Sequence, residues 1–186
     1  WYRSAGLSPH GNSVFHDGLY PTFSYIVRMR RINEKNGANR LIVRGTVYPL
    51  GSTEHWDDEY IFQYTNAGTF SVYKRVNGSS TSVKGWTSTT AINQYGWNKL
   101  KVKGKGTNFK FYINDQLVWS GSDSSLATGK VGAGFYKGNS SWQPLLIDYA
   151  HLYTYVPVLE DEPDVWAEIG ETNTEWDNPD VSPPGP

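Results

Sequence analysis

An all-β chain, folded as a two-sheet antiparallel β-sandwich, is what this sequence predicts, and three observations predict it. Apolar and polar residues alternate with period two over most of the first 155 positions, the pattern of strands with one face buried. Short turn signals such as Asn36-Gly37, Asn77-Gly78 and Asn114-Asp115 separate the alternating runs. No segment sustains apolar residues at i, i+3 and i+4, while aromatic residues reach 15 % and glycine is frequent, a composition suited to strands and turns.

In chain order, residues 1–20 are rich in Gly, Ser, His and Asn and read as loop with one short strand. Phe23, Tyr25, Val27 and Met29 then alternate with Ser24, Arg28 and Arg30. Asn36-Gly37 marks a hairpin leading to residues 39–45, with Leu41 and Val43 inward and Arg40, Ile42 and Arg44 on the opposite face. Residues 46–58 break the alternation and read as a long loop, the kind of segment that often carries binding. A further hairpin runs from Glu59 through Asn66-Ala67-Gly68 to Val76, with Phe70, Val72 and Val76 sharing one face and Ser71, Tyr73 and Arg75 the other. Asn77-Gly78-Ser-Ser is the next turn, and Trp86 to Ala91 reads as an edge segment. From Trp97 to Tyr136, Leu100 and Val102 alternate with lysines, Phe109, Phe111 and Ile113 repeat the pattern, and Val131, Ala133 and Phe135 alternate with glycines. Asn114-Asp115 makes a tight turn between Ile113 and Gln116, and a three-stranded antiparallel meander is the economical reading. Residues 137–143 form a polar loop carrying Trp142.

Composition narrows function. Without cysteine there is no disulfide framework, and His10, His16, His55 and His151 lack zinc-ligand spacing. No run of about 18 apolar residues exists to span a membrane. The chain begins at Trp1 without Met or signal peptide, so a piece of a longer polypeptide is expected, joined to other modules. All 17 basic residues precede Pro157, against nine acidic ones there, for a net charge of +8. From Pro157 on there are nine acidic residues and no basic one. The division expected is therefore a sandwich over 1–156 and an acidic tail or linker over 157–186, whose Trp166 and Trp176 invite docking rather than idle exposure. Lys99, Lys101, Lys103 and Lys110 with Tyr112 make a basic face. Such a stripe also protects sheets against edge association, and nucleic acid is not expected as a partner.

Several segments together resemble the concanavalin A-like lectin/glucanase jelly rolls, which include laminin G-like domains and many carbohydrate-binding modules. They are the strand opened by Trp97, the Asn114-Asp115 tip, the strand Gly129-Lys-Val-Gly132, the closing strand Leu145-Leu-Ile-Asp148-Tyr-Ala-His-Leu152, and the early element His16-Asp17-Gly18-Leu19-Tyr20. The resemblance covers residues 1–155 and implies a jelly roll, a fold that hosts lectins, hydrolases and adhesion domains. It also implies a structural calcium ion held by Asp148 and the Gly18 carbonyl.

Two chemistries compete for this scaffold. Glu54-His-Trp-Asp57-Asp58-Glu59 is similar to the Glu-x-Asp-x-x-Glu signature of family-16-type glucanases. Only Asp57 and Glu59 alternate, however, and a retaining glycosidase needs two carboxylates about 5 Å apart on one face. A sugar binder needs flat aromatics beside paired donors and acceptors. Arg44, Tyr64, Tyr73 and Arg75 at outward strand positions, Trp56 and Trp142 in loops, and Asp58 or Glu59 as acceptors supply that set. The expectation is a non-catalytic carbohydrate-binding module of an extracellular or cell-surface protein, with a poly- or oligosaccharide as partner. A glycoside hydrolase of the same fold and a protein-binding adhesive module are the alternatives.

Overall fold

The computed structural model describes residues 2–4, 12–47, 56–136 and 144–154, with side chains from Ser13 onward. Those residues form twelve strands and no helix: β1 (Tyr2–Ser4), β2 (Asn12–His16), β3 (Phe23–Arg31), β4 (Asn39–Val47), β5 (Trp56–Thr65), β6 (Thr69–Val76), β7 (Ser79–Ser88), β8 (Asn98–Lys105), β9 (Asn108–Ile113), β10 (Gln116–Ser122), β11 (Lys130–Phe135) and β12 (Leu145–Thr154). The first sheet has the order β1-β12-β3-β8-β9-β10 and the second β2-β11-β4-β5-β6-β7. Every strand pairing is antiparallel. The architecture is the expected two-sheet jelly roll.

The alternation read from the sequence decides which faces meet. Phe23, Val27, Met29, Leu100, Val102, Phe111 and Ile113 point in from the first sheet, and Leu41, Val43, Phe62, Phe70, Val72, Val131 and Phe135 from the second. Aromatic pairs bridge the sheets: Phe62 meets Phe111 edge-on at 5.2 Å between ring centroids, and Tyr60 meets Phe109 at 4.9 Å. Each such ring taken fully out of water contributes about 1.5–3 kcal/mol, and edge-to-face geometry adds to it.

Turn chemistry explains the tight hairpins. Asn114 and Asp115 (φ 49° and 65°) join β9 to β10, and Asn77 and Gly78 (φ 49° and 73°) join β6 to β7. These are the positive-φ pairs of a two-residue type I′ turn. Three expectations need correction. Residues 2–16 hold two strands rather than one, β1 and β2. The meander is β8-β9-β10, because β11 crosses to the other sheet and inserts between β2 and β4. Residues 46–47 and 56–58 of the expected loop are strand, ending β4 and opening β5.

Candidate functional site

The outer face of the second sheet gathers the polar and aromatic side chains that the core does not use. Cross-strand register sets them in rows. One row runs Ser13, Gly134, Arg40, Gln63, Ser71, and the next runs Phe15, Gly132, Ile42, Ile61, Tyr73, Ser82. Beyond them Glu59 lies opposite Arg75, which lies opposite Ser80. Alternation puts these residues there: Tyr60, Phe62 and Tyr64 fill the core from β5, so Glu59, Ile61 and Gln63 must face out.

Hydrogen bonds fix the rows. Arg40 Nε donates to Gln63 Oε1 at 3.1 Å, and Gln63 Nε2 donates to Ser71 Oγ at 2.9 Å. Glu59 lies 3.9 Å from Arg75, whose Nη1 donates to the Trp56 carbonyl at 3.1 Å. The Arg40 guanidinium sits 5.1 Å from the centre of the Tyr136 ring, a favourable cation–π arrangement. Burial lowers the Arg40 pKa below the ordinary guanidinium value; neighbouring Glu59 opposes that shift and Arg75 reinforces it. Phe15 and Tyr136 remain about two-fifths exposed, and Tyr73 and Arg75 are half-buried.

The sequence-predicted residues divide cleanly. Glu59, Tyr73 and Arg75 come together on this face. Trp56 joins it as floor rather than as a loop platform. Its indole is buried over the backbone of Gly45 and Gly132, where a Cβ would meet the ring at 2.2 and 2.7 Å. Its Nε1 donates to Ser13 Oγ at 2.8 Å, and Phe15 packs edge-on against it at 6.0 Å.

Arg44 and Tyr64 point inward, against the outward positions that the sugar reading assigns them; Arg44 also departs from strict alternation, whereas Tyr64 obeys it. Register shifts between Val43 and Thr46 form a bulge in which Arg44 takes φ 52°, and the bulge turns its side chain inward. There it donates to the carbonyls of Leu126, Pro21 and Gly106 at 2.9, 2.7 and 2.7 Å and lies 4.7 Å from the Phe109 ring centre. Tyr64 shares the inward face of Phe62, is 0 % exposed, and directs its hydroxyl to the Met29 carbonyl at 3.4 Å. Burial raises its pKa.

Asp58 also serves the fold, since its carboxylate accepts the Asn77 N–H at 2.7 Å and fastens the β6–β7 turn. Trp142 and Glu54 lie outside the described residues.

The calcium expectation finds no fit in this arrangement. Asp148 is on the other sheet, in an ion pair with Arg28. It lies beside Arg28 and Met29, about 16 Å along β3 from Phe23 by the usual strand rise. Gly18 lies in the connection before Phe23, where the Tyr20 N–H bonds the Gly129 carbonyl at 3.0 Å. Among the described residues no group of three or more His, Asp or Glu is placed to hold a metal.

Sequence reasoning missed Arg40, Gln63 and Tyr136. Arg40 falls on the correct face but carries no motif. Gln63 becomes legible only once Phe62 is assigned to the core.

Solved structures similar to this one include the carbohydrate-binding module CBM66 from Bacillus subtilis (TM-score 0.63, 18 % identity, 78 % of this chain and 83 % of that one). Another is a Bacillus licheniformis β-glucanase (TM-score 0.58, 11 % identity, 77 % and 71 %). A third is the Caenorhabditis elegans galectin LEC-6 (TM-score 0.54, 10 % identity, 81 % and 94 %). No protein-family model and no curated protein sequence matches the chain. At these identities the likeness shows the fold, which is the concanavalin A-like jelly roll.

Proposed function

We propose that the chain is a non-catalytic carbohydrate-binding module whose ligand lies across the outer face of the second sheet. The observation that carries this reading is the fixed polar row Arg40–Gln63–Ser71, its Gln63 and Ser71 packed down into the face, lying between the half-buried Tyr73 and the exposed Tyr136 and next to the Glu59–Arg75 pair. Sugars offer hydroxyls that both donate and accept beside apolar C–H faces. A binder pre-orients its side-chain amides and guanidiniums and keeps flat rings alongside them. Tyr73 and Tyr136 supply such rings here. The fold's likeness to a carbohydrate-binding module and a galectin agrees with that use. The likeness to glycan-degrading proteins supports an extracellular setting.

Hydrolysis is the second reading, favoured by the β-glucanase likeness and by the alternation of Asp57 and Glu59 along β5. Against it, Glu59 is buried beside the Arg75 guanidinium rather than open to a cleft. Asp58 is committed to a turn.

A glycan array followed by calorimetry on the best ligand tests the proposal. Arg40→Ala and Tyr73→Ala should each weaken binding about tenfold, a loss of about 1.4 kcal/mol. Unchanged affinity in both variants would sink the assignment of the face. Reducing-sugar release by the wild type that vanishes in Glu59→Gln would make the chain an enzyme.

A further inference from the structure

The outer face of the first sheet carries a pattern that the carbohydrate reading does not use. Register lays it out in rows: Tyr149, Arg28 and Lys99; then His151, Ile26, Lys101 and Tyr112; then Tyr153, Ser24, Lys103 and Lys110. Arg30 lies one step beyond the first row, and its guanidinium and that of Arg28 stack on Trp97 at 4.9 and 5.0 Å. Six cations thus share this face with two described carboxylates, Asp148 beside Arg28 and Asp115 beside Lys99 and Lys101. In the third row Lys103 is paired directly with Lys110. Two lysines side by side raise the positive potential of this part of the face. Along the β12 margin the rings of Tyr149, His151 and Tyr153 form a ladder with centroids 4.6 and 6.3 Å apart.

That ladder runs along β12 to its end. Thr154, the last residue of β12, pairs with Phe23, one position past Tyr153 and the third row. Lys103 is two strands away and Lys110 three, about 10 and 14 Å at ordinary strand spacing. From there the chain runs on into its acidic segment, with nine acidic residues and no basic one. The first of them, Glu160, comes six residues after Thr154, a reach of about 20 Å when extended.

We propose that residues 160–177 dock in cis on the basic, aromatic-edged face of the first sheet. The carboxylates lie against Lys101, Lys103 and Lys110, and the indole of Trp166 or Trp176 lies against the Tyr149–Tyr153 ladder. Exposed ion pairs are individually weak. Tethering makes their combined effect sufficient, because a short linker holds the tail at an effective concentration on the order of millimolar. Docked there, the tail acts as a built-in polyanion that an external one must displace, so the face does not adhere indiscriminately to acidic polymers.

The test uses the full chain, which contains no native cysteine. A nitroxide is attached at Ser120→Cys, opposite Lys110, and in a control at Ser82→Cys, opposite Tyr73 on the second sheet. In about 20 mM salt, amide NMR signals of residues 160–177 should lose about half their intensity or more with the Ser120 label and recover in about 0.5 M salt, where screening is short-ranged. The Ser82 label should leave them intact, and charge reversal by Lys103→Glu with Lys110→Glu should restore them. Absent broadening from Ser120, equal broadening from both labels, or broadening indifferent to salt overturns the proposal. So does broadening transmitted from a spin-labelled, unenriched copy to an unlabelled, enriched one. The result is independent of sugar binding, which uses the other sheet.

Discussion

Replacing Arg44 by Met separates a structural role from a ligand role. Arg44 is 1 % exposed and its guanidinium joins three backbone carbonyls from three connections: Pro21 before β3, Gly106 between β8 and β9, and Leu126 between β10 and β11. A hydrogen bond from a charged donor contributes about 1.5–3 kcal/mol, and each buried carbonyl left without a partner costs about 1–3 kcal/mol. Three bonds would sum to more than any single substitution usually costs, because water enters and the loops relax. An expected loss of about 3–5 kcal/mol falls in the range for breaking a buried charged network. For a chain of this size that lowers the melting temperature by about 6–20 °C. Calorimetry and urea titration measure it, and Arg44→Lys should fall between, since an ammonium keeps the charge but cannot span all three carbonyls. A variant within about 0.5 kcal/mol of wild type, the usual effect of a surface change, would show that Arg44 points outward after all.

Gly132→Ala should cost about 1–3 kcal/mol by overpacking, since its Cβ would lie 2.5 Å from the Val14 carbonyl oxygen and 2.7 Å from the Trp56 ring; a shift in tryptophan emission alongside the lower melting temperature would place the strain on Trp56. Burial alone would raise the pKa of Asp123, but hydrogen bonds from Lys74, Tyr60 and Ser125 outweigh it and hold the carboxyl well below the usual range. A depressed folded-state pKa gives stability that is present above the unfolded value of about 3.9 and lost as pH falls below it. The stability–pH curve of Asp123→Asn should therefore be flatter below about pH 4 than that of the wild type, and parallel curves would refute the linkage. Burial pushes the Tyr60 hydroxyl up to about 12, so its share of stability is present below about pH 10 and lost above it; Tyr60→Phe should remove that alkaline loss from the same curves. With Asp148 committed to Arg28, chelation or added calcium should leave the melting temperature unchanged, and a calcium-dependent rise would return the ion to Asp148.

Much of the sandwich was legible because its rules are local. Period-two alternation gave the inward faces of β3, β6, β8 and β9, and Asn77-Gly78 and Asn114-Asp115 gave their turns with the positive φ that those residues tolerate. Which sheet a strand joins is not local. β11 reads like a fourth member of the Trp97 meander, yet it pairs with β2 and β4, where Gly132 admits the close approach of the Val14 carbonyl and the Trp56 ring. Asn36-Gly37 shows the limit from the other side. It signals a two-residue turn, but β3 and β4 are joined by a longer connection in which Glu34 Oε1 accepts the N–H groups of Asn36 and Gly37 at 3.0 and 2.9 Å. A buried carboxylate organises that connection, and no dipeptide signal announces it.

The candidate site was half legible for the same reason that Arg44 escapes the alternation rule. Parity carries Glu59, Tyr73 and Arg75 to one face, provided the strands are regular. The bulge between Val43 and Thr46 is an irregularity of one strand with effects on both faces. On the inside it turns Arg44 toward the connections that it ties together. On the outside it brings Gly45 beneath the Trp56 ring, where no side chain could fit. Staple and floor are therefore parts of one device, and its signature in the sequence is the pair Arg44-Gly45 ending an otherwise regular alternation. Gly45→Ala must then act on the outer face: the indole is displaced, Ser13 loses its hydrogen bond from Nε1, and glycan affinity falls. The Arg44 contacts, on the opposite side of the strand, should survive, visible as unshifted amide signals of Gly106 and Leu126. Should those signals move while binding stays intact, the two faces are not divided as the bulge implies.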